Sequence, residues 1–318
     1  MKKILFKHQF TCLLTILSAL VLTTCNTNPN AKLYETATRG DIKIGVDESF
    51  TLLADAELYV FQSIYTSAHI TPLYKPEIDV LNDFMNDSIR MMITASKLTQ
   101  EETEFLKSKL INPRTTTIAY DGLAFIVNNR NKDSLLIYSE LKDIFKGKIS
   151  RWDQMNPTNK AGKILIAFDN NKSSNVRFIR EKFEISDSFP PNCMAANNNN
   201  EVINFVEKNI NALGVVAVNW ISDKNDSISR GFLNRVRVTG ISQEYDTEGT
   251  DFYKPYQAYI ADKSYPLVRE VYAINRETFT GLGTGFIKYL SNEGQRIVLQ
   301  MGMVPATMPV RLVKTSTE

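Results

Sequence analysis

The stretch Phe168-Asp169-Asn170-Asn171-Lys172-Ser173-Ser174-Asn175-Val176-Arg177-Phe178 sets hydroxyls, amides and a carboxylate between an apolar strand pattern and a helical one. Such a loop can aim hydroxyls and the free N–H groups of a helix start at an anion, and Asp169 can accept the proton of a partly protonated oxyanion. Ser173, Ser174 and Asn175 are equally the residue types that cap a helix with no ligand at all. A second loop, Asp47-Glu48-Ser49-Phe50, also opens a helical pattern. Its serine can donate to the same anion, with the N–H groups around Phe50 beside it. Asp47 and Glu48 also fit the ordinary preference of acids for the positive end of a helix. Two such loops converging on one point would hold an anion reversibly.

Residue counts exclude most other chemistry. The chain has three cysteines and two histidines. If the first residues are removed as described next, Cys193 and His69 alone remain free, so no internal disulfide and no Cys/His zinc site can be assembled. A Ser-His-Asp or Cys-His nucleophile would have to rest on His69, which stands in Ile64-Tyr65-Thr66-Ser67-Ala68-His69-Ile70 at an expected helix-to-strand junction, without placed partners.

Met1-Lys2-Lys3-Ile4-Leu5-Phe6-Lys7 followed by the apolar run Leu13–Leu22 has the order of an export signal, and the run is too short for a spanning helix. It ends at Leu22-Thr23-Thr24-Cys25, which resembles a bacterial lipobox with Cys25 as the lipidated residue, and Asn26-Thr27-Asn28-Pro29-Asn30 then reads as a polar tether. An ordinary secretory signal with an incidental cysteine is the other reading. Loss of Lys2, Lys3 and Lys7 takes the formal charge from +2 to −1, which leaves no basic surplus for nucleic acid.

The elements that must position the two loops follow from periodicity. Asp41–Val46 reads as a strand, Phe50–Ser67 as a helix with apolar residues at helical spacing, Ile70–Tyr74 as a strand, Val80–Met85 as a helix, Met91–Thr94 as a strand and Thr99–Lys109 as a charged helix. Thr115–Asn128 is extended and long enough to leave one lobe and enter another. Strands are expected at Lys163–Phe168 and Gly214–Val218, with a helix at Ser174–Phe183 between them. Tyr259–Ile274 alternates apolar and polar residues toward a return strand, and one final helix covers Phe286–Met301. Asn197–Asn200 and Asp223–Asp226 read as solvated turns, and Gly281-Leu282-Gly283-Thr284-Gly285 as a flexible helix entry without the lysine of a P-loop. The expected architecture is α/β with two lobes and a cleft between them: residues 1–24 signal, 25–40 tether, 41–119 with 263–318 one lobe, and 120–262 the other.

Leu141-Lys142-Asp143-Ile144-Phe145-Lys146-Gly147-Lys148-Ile149-Ser150-Arg151-Trp152 resembles a signature of the PstS-like phosphate-binding family of substrate-binding proteins. Asp121–Asn128 resembles that family's lobe-crossing strand, Pro266–Tyr272 its return segment, and Ser291–Ile297 with Gly302–Pro305 its C-terminal helix. The resemblance implies a type II periplasmic-binding-protein-like fold and ligand loops at Ser49 and Phe50, at Ser96 and Lys97, and at Ser173, Ser174 and Asn175. Asp169 and Arg177 lie within or beside the third loop. The arginine that the family usually carries just before that loop is replaced by Ala167 and Phe168, leaving Lys97, Lys172 or Arg177 as sources of compensating charge. Trp152 and Lys146-Gly147-Lys148 read as structural, a helix end with an aromatic anchor. The resemblance further implies a monomeric, cofactor-free, non-enzymatic protein outside the cytoplasm. It would be held to the membrane by lipid and would capture phosphate or a similar small oxyanion for an ABC permease. A lipoprotein that keeps the fold but senses, scaffolds or adheres is the alternative.

Overall fold

Alternating Ile42, Ile44 and Val46, all buried, make β1 (Gly40–Asp47) the first strand of the computed structural model, which describes residues 34–221, 231–232 and 234–310. Cys25, the expected signal, most of the tether and the Asp223–Asp226 turn lie outside the described residues. A 3-10 turn over Glu48–Phe50 leads into α1 (Thr51–Ile64), followed by β2 (Ala68–Lys75), α2 (Glu77–Met85), β3 (Met91–Thr94), α3 (Gln100–Ser108) and β4 (Arg114–Asn128). Next come β5 (Leu135–Leu136), α4 (Tyr138–Phe145), β6 (Leu165–Phe168), α5 (Ser174–Lys182), β7 (Cys193–Ala195), α6 (Asn199–Lys208) and β8 (Ala212–Ala217). The described chain continues with β9 (Val236–Val238), β10 (Gly240–Ser242), β11 (Phe252–Tyr253), α7 (Gln257–Ala261), β12 (Val268–Asn275), α8 (Leu282–Leu290), α9 (Gln295–Gln300) and β13 (Val304–Pro305).

The principal sheet runs β2-β1-β3-β12-β4-β8-β6-β7, with β9 and β13 also on β4. Its spine is the 15-residue β4. Residues 114–122 of β4 pair antiparallel with β12, and residues 123–127 pair with β8. One continuous strand therefore belongs to both lobes of this two-lobed α/β fold. In the first lobe β1 lies parallel to β3, and in the second β6 lies parallel to β8. The strand ends at Asp47, Thr94 and Phe168 thus release the loops of interest, and a crevice at the carboxyl ends of parallel strands is where open α/β folds take ligands.

Phe61, Phe286 and Tyr289 pack against one another in the first lobe, and Phe125, Phe145, Phe168 and Phe183 in the second. Trp152 is fully buried and its indole N–H donates to the Asn211 carbonyl at 2.9 Å, while Gly147 takes φ 75° beyond the end of α4. Both serve packing, the glycine because left-handed backbone closes a helix without Cβ strain.

Two expectations are corrected. Tyr259–Ile274 is not one alternating stretch: Gln257–Ala261 form a short helix, the left-handed Lys263 (φ 64°) ends it, and the strand begins only at Val268. The final helix is broken into α8 and α9, because Asn292 and Gly294 both turn their N–H groups back to the Tyr289 carbonyl. A Cβ at Gly294 would stand 2.6 Å from Glu57 Oε2. His69 lies inside β2, exposed, opposite Asp41. The Gly281–Gly285 run starts α8, and the Glu277 carboxylate accepts the N–H groups of Gly283 (3.0 Å) and Thr284 (2.8 Å), so that helix start is already filled from within.

Glu57 is fully buried on α1, and neither carboxyl oxygen has a hydrogen-bond partner of good geometry. Burial pushes this carboxyl up from 4.5 to about 8, with the nearby Tyr289 hydroxyl only partly offsetting it. A raised acid holds its proton in the folded state, so its contribution to stability is complete below the unfolded value and is lost as pH rises through the folded one. Glu57→Gln should therefore match the parent near pH 4. Its advantage should grow between pH 4.5 and about 8 to roughly 4 kcal/mol, as read by urea unfolding across that range. A constant difference would show that Glu57 does not titrate in that window.

Candidate functional site

Asp47 closes β1 and turns its carboxylate onto both lobes: Oδ1 accepts the Ser49 N–H at 2.7 Å and Oδ2 accepts the Ser174 N–H at 3.3 Å. Ser49 Oγ donates across the cleft to Asp169 Oδ2 at 3.4 Å and lies 3.4 Å from Ser174 Oγ. Ser173 Oγ accepts the Val176 N–H at 3.3 Å while donating to Asp169 Oδ1 at 2.6 Å, so capping α5 and orienting the carboxylate are one act. Asn175 Nδ2 donates to Asp169 Oδ2 at 2.9 Å. Trp220, past the end of β8, donates its indole N–H to the Ser49 carbonyl at 3.0 Å. Asp47, Ser49, Phe50, Asp169, Ser173, Ser174 and Asn175 are all buried.

The cation at this point is Arg269, from the return strand β12. Its Nη1 donates to Ser174 Oγ at 3.2 Å, its Nε donates to Asp121 Oδ2 at 2.9 Å, and its guanidinium carbon stands 5.1 Å from the centre of the Phe50 ring. The side chains of Arg269 and Asp121 are 2% and 0% exposed. Asp121 also accepts the Val218 N–H at 3.2 Å. A buried guanidinium thus reaches the Ser173–Ser174 loop from another element. Its signal in the sequence was a charge at an inward slot: Arg269, Val271 and Ala273 share the buried face of β12.

The other expected residues lie elsewhere. Arg177 donates to Glu77 Oε2 at 2.5 Å and pairs with Glu181, Lys172 pairs with Asp79 at 2.9 Å, and Ser96 Oγ donates to Glu77 Oε1 at 2.9 Å. Lys97 is exposed, 3.7 Å from Glu270 Oε2 and over the Tyr272 ring. Ser96 and Arg177 therefore build a neighbouring cluster on Glu77, and none of the three candidate cations reaches the serines.

Acids outnumber cations here. Burial, with Glu77 and Asp169 adding to it, pushes Asp47 up from 3.8 to about 6, and burial beside Asp169 and Asp47 pushes Glu48 to about 7. Asp169 and Asp121 are raised by burial too, offset by the Ser173 hydroxyl and by Arg269 respectively. Burial opposes ionisation of Glu77, but Arg177 with Thr94 and Ser96 outweighs it and lowers that group. Asn175 Oδ1, Asn199 Oδ1 and Arg269 Nη2 are buried without a hydrogen-bond partner, although Nη2 lies 2.9 Å from Asp121 Oδ2 as an off-axis ion pair. Buried polar atoms left unpaired cost free energy, and polar ligands satisfy them. Hydroxyls, helix N–H groups and one guanidinium can grip an oxyanion, and the carboxylates can accept from it.

Two lobes sharing a sheet, with facing loops at the carboxyl ends of parallel strands, are the architecture of a two-lobed periplasmic-binding-protein-like fold. Residues 34–293 match the PBP superfamily domain, and the chain belongs to that superfamily. The phosphate-binding protein PstS of Bacillus subtilis is 25% identical over 219 residues, 68% of this chain and 65% of that protein's length. PstS 2 of Streptococcus pneumoniae is 50% identical over 38 residues, 12% of this chain and 13% of that protein. A putative phosphate ABC transporter substrate-binding protein from Clostridium perfringens, solved with bound phosphate, superposes with a TM-score of 0.71 at 19% identity, over 84% of this chain and all of that one. A phosphate transport receptor from Vibrio cholerae gives 0.63 at 19% identity, over 85% and 100%. These likenesses concern the fold.

Removing one member of a buried ion pair strands the other, at about 3–5 kcal/mol. Arg269→Gln alone should lower stability by that order, whereas Arg269→Gln with Asp121→Asn should recover most of it. Urea midpoints of the parent, the single and the double variant test this, and equal midpoints for the two variants would show that the pair is not a coupled unit.

Proposed function

We propose that this chain captures phosphate or a similar small oxyanion in the cleft between its lobes, reversibly and without chemical conversion, and hands it to an ABC permease. The observation that carries the proposal is the meeting of Ser49 from one lobe, Ser174 from the other and Arg269 from the return strand within hydrogen-bond reach at one buried point. Ser173, Asn175 and the α5 N–H groups complete the donor set, with Phe50 packed beneath the guanidinium. Asp169 accepts from a protonated oxygen, a hydrogen bond that sulfate does not offer at neutral pH. Phosphate-binding relatives support the choice of ligand. Arg269 places a buried cation at the serines, which favours anion capture over the non-transporting alternative.

Lobe limits at 41–119 with 263–318 and at 120–262 are supported by the split pairing of β4 and by the Leu123 N–H to Leu267 carbonyl bond between the two crossing segments. The Leu22–Cys25 sequence supports an extracytoplasmic lipoprotein anchored through Cys25. In the native host, Cys25→Ser should shift the protein from the membrane fraction to the soluble extracytoplasmic one. An unchanged membrane fraction would show that the anchor lies elsewhere.

A ligand that binds only the folded state raises stability by about 2.7 kcal/mol at a hundredfold excess over Kd. Millimolar phosphate should raise the thermal midpoint of the protein more than sulfate does. Ser49→Ala with Ser173→Ala should keep the fold, as judged by circular dichroism, and lose the phosphate shift. A full shift in that double variant would move the binding site away from these serines.

A further inference from the structure

The carboxylate of Glu77 is gripped as a bound anion would be. Its Oε1 accepts from Thr94 Oγ1 at 2.5 Å, from the Ala95 N–H at 3.2 Å, from Ser96 Oγ at 2.9 Å and from Arg177 Nη2 at 3.2 Å, and its Oε2 accepts from Arg177 Nε at 2.5 Å. Two hydroxyls, a main-chain N–H at a strand end and a forked guanidinium are the donors that recognise a free carboxylate or phosphate. A carboxylate has about four lone-pair sites, so this set saturates it. Glu77 opens α2, where an acid commonly serves the N–H groups of its own helix. Here each of these donors comes from another element, the end of β3 or α5. The Glu77 side chain is 4% exposed; burial opposes its ionisation, but Arg177 with Thr94 and Ser96 outweighs burial and keeps it an anion.

The grip spans the cleft. Glu77 and the Thr94–Ser96 loop stand with β1 and β3 in one lobe, and Arg177 follows β6 in the other. At the same junction the Ile78 N–H donates to the Lys172 carbonyl at 3.3 Å, and Lys172 pairs with Asp79 at 2.9 Å. The loop at Ser96, expected to meet a solute, meets this carboxylate instead. Contacts made only when the lobes meet bias the equilibrium toward the closed arrangement. We propose that Glu77 is a built-in ligand: its carboxylate fills an oxyanion cradle made by Thr94, Ala95, Ser96 and Arg177, and so draws the two lobes together without a solute in that cradle. Capture at Ser49 and Ser174 is a separate reading, on which this one does not rest.

The test removes the carboxylate and returns it in solution. Glu77→Ala deletes a fragment with the shape of acetate, and Arg177 keeps Glu181 as its partner at 2.9 Å, so it is not stranded. Small-angle scattering and thermal unfolding of the parent, of Glu77→Ala and of Glu77→Ala with Arg177→Gln are compared in sodium acetate and in sodium chloride at equal ionic strength, which screens surface charge alike. In chloride, Glu77→Ala should have a larger radius of gyration than the parent. Acetate should restore the parental radius and raise the midpoint of that variant alone, leaving the parent and the double variant unmoved. Glu77→Gln keeps the volume without the charge and guards against a misfolded alanine variant. It should be expanded and insensitive to acetate, because the amide still fills the cradle. Parental dimensions in Glu77→Gln would overturn the proposal, as would a folded Glu77→Ala that ignores acetate, or a rescue that survives loss of Arg177. No residue of the Ser49–Ser174 cluster is altered and phosphate is not the probe, so any of these failures leaves the oxyanion capture standing.

Discussion

The ion pair between Arg269 and Asp121 is the constraint on which the rest turns. The two residues face each other on β12 and β4, the two strands that join the lobes, and both are withdrawn from water. Desolvating a guanidinium and a carboxylate is expensive, and it is tolerated only where each charge is hydrogen-bonded as well as paired. Asp121 satisfies this through the Val218 N–H, and Arg269 through Ser174. The pair thereby ties the crossing ribbon to a loop of the second lobe and places a positive charge among Asp47, Asp169 and the serines, where it offsets part of an acidic surplus.

Much of the scaffold was legible because its elements are locally consistent. β1, β3 and the second half of β4 carry apolar patterns, and α3 announces itself with Thr99 and Glu102, which form a reciprocal capping box. Periodicity failed where tertiary contacts decide. The break between α8 and α9 sets Gly294 against Glu57, which comes from a helix more than two hundred positions earlier, and no local window contains that contact.

The candidate site divides along the same line. Ser49, Asp169, Ser173 and Asn175 were visible because loops of small polar residues at helix starts advertise themselves within a few positions. Arg269 was hidden inside a strand pattern and is joined to Asp121 and Ser174 only by the fold. Lys97, Lys172 and Arg177 drew attention by proximity in sequence, but each finds an acidic partner before it can reach the serines. Charge type is readable from sequence, whereas pairing is a property of three dimensions.

The 15-residue β4, shared between lobes, has a mechanical consequence. A ribbon of two antiparallel strands resists stretching and sliding, because either motion breaks its ladder of hydrogen bonds in concert, yet it yields readily to torsion. The lobes are therefore coupled as by a torsion bar: they can rotate against each other about the ribbon but cannot drift apart. A rotation about the ribbon would return Ser49 to Ser174 along nearly the same path, so the alignment of the two loops is set by the strand pair as well as by the loops themselves.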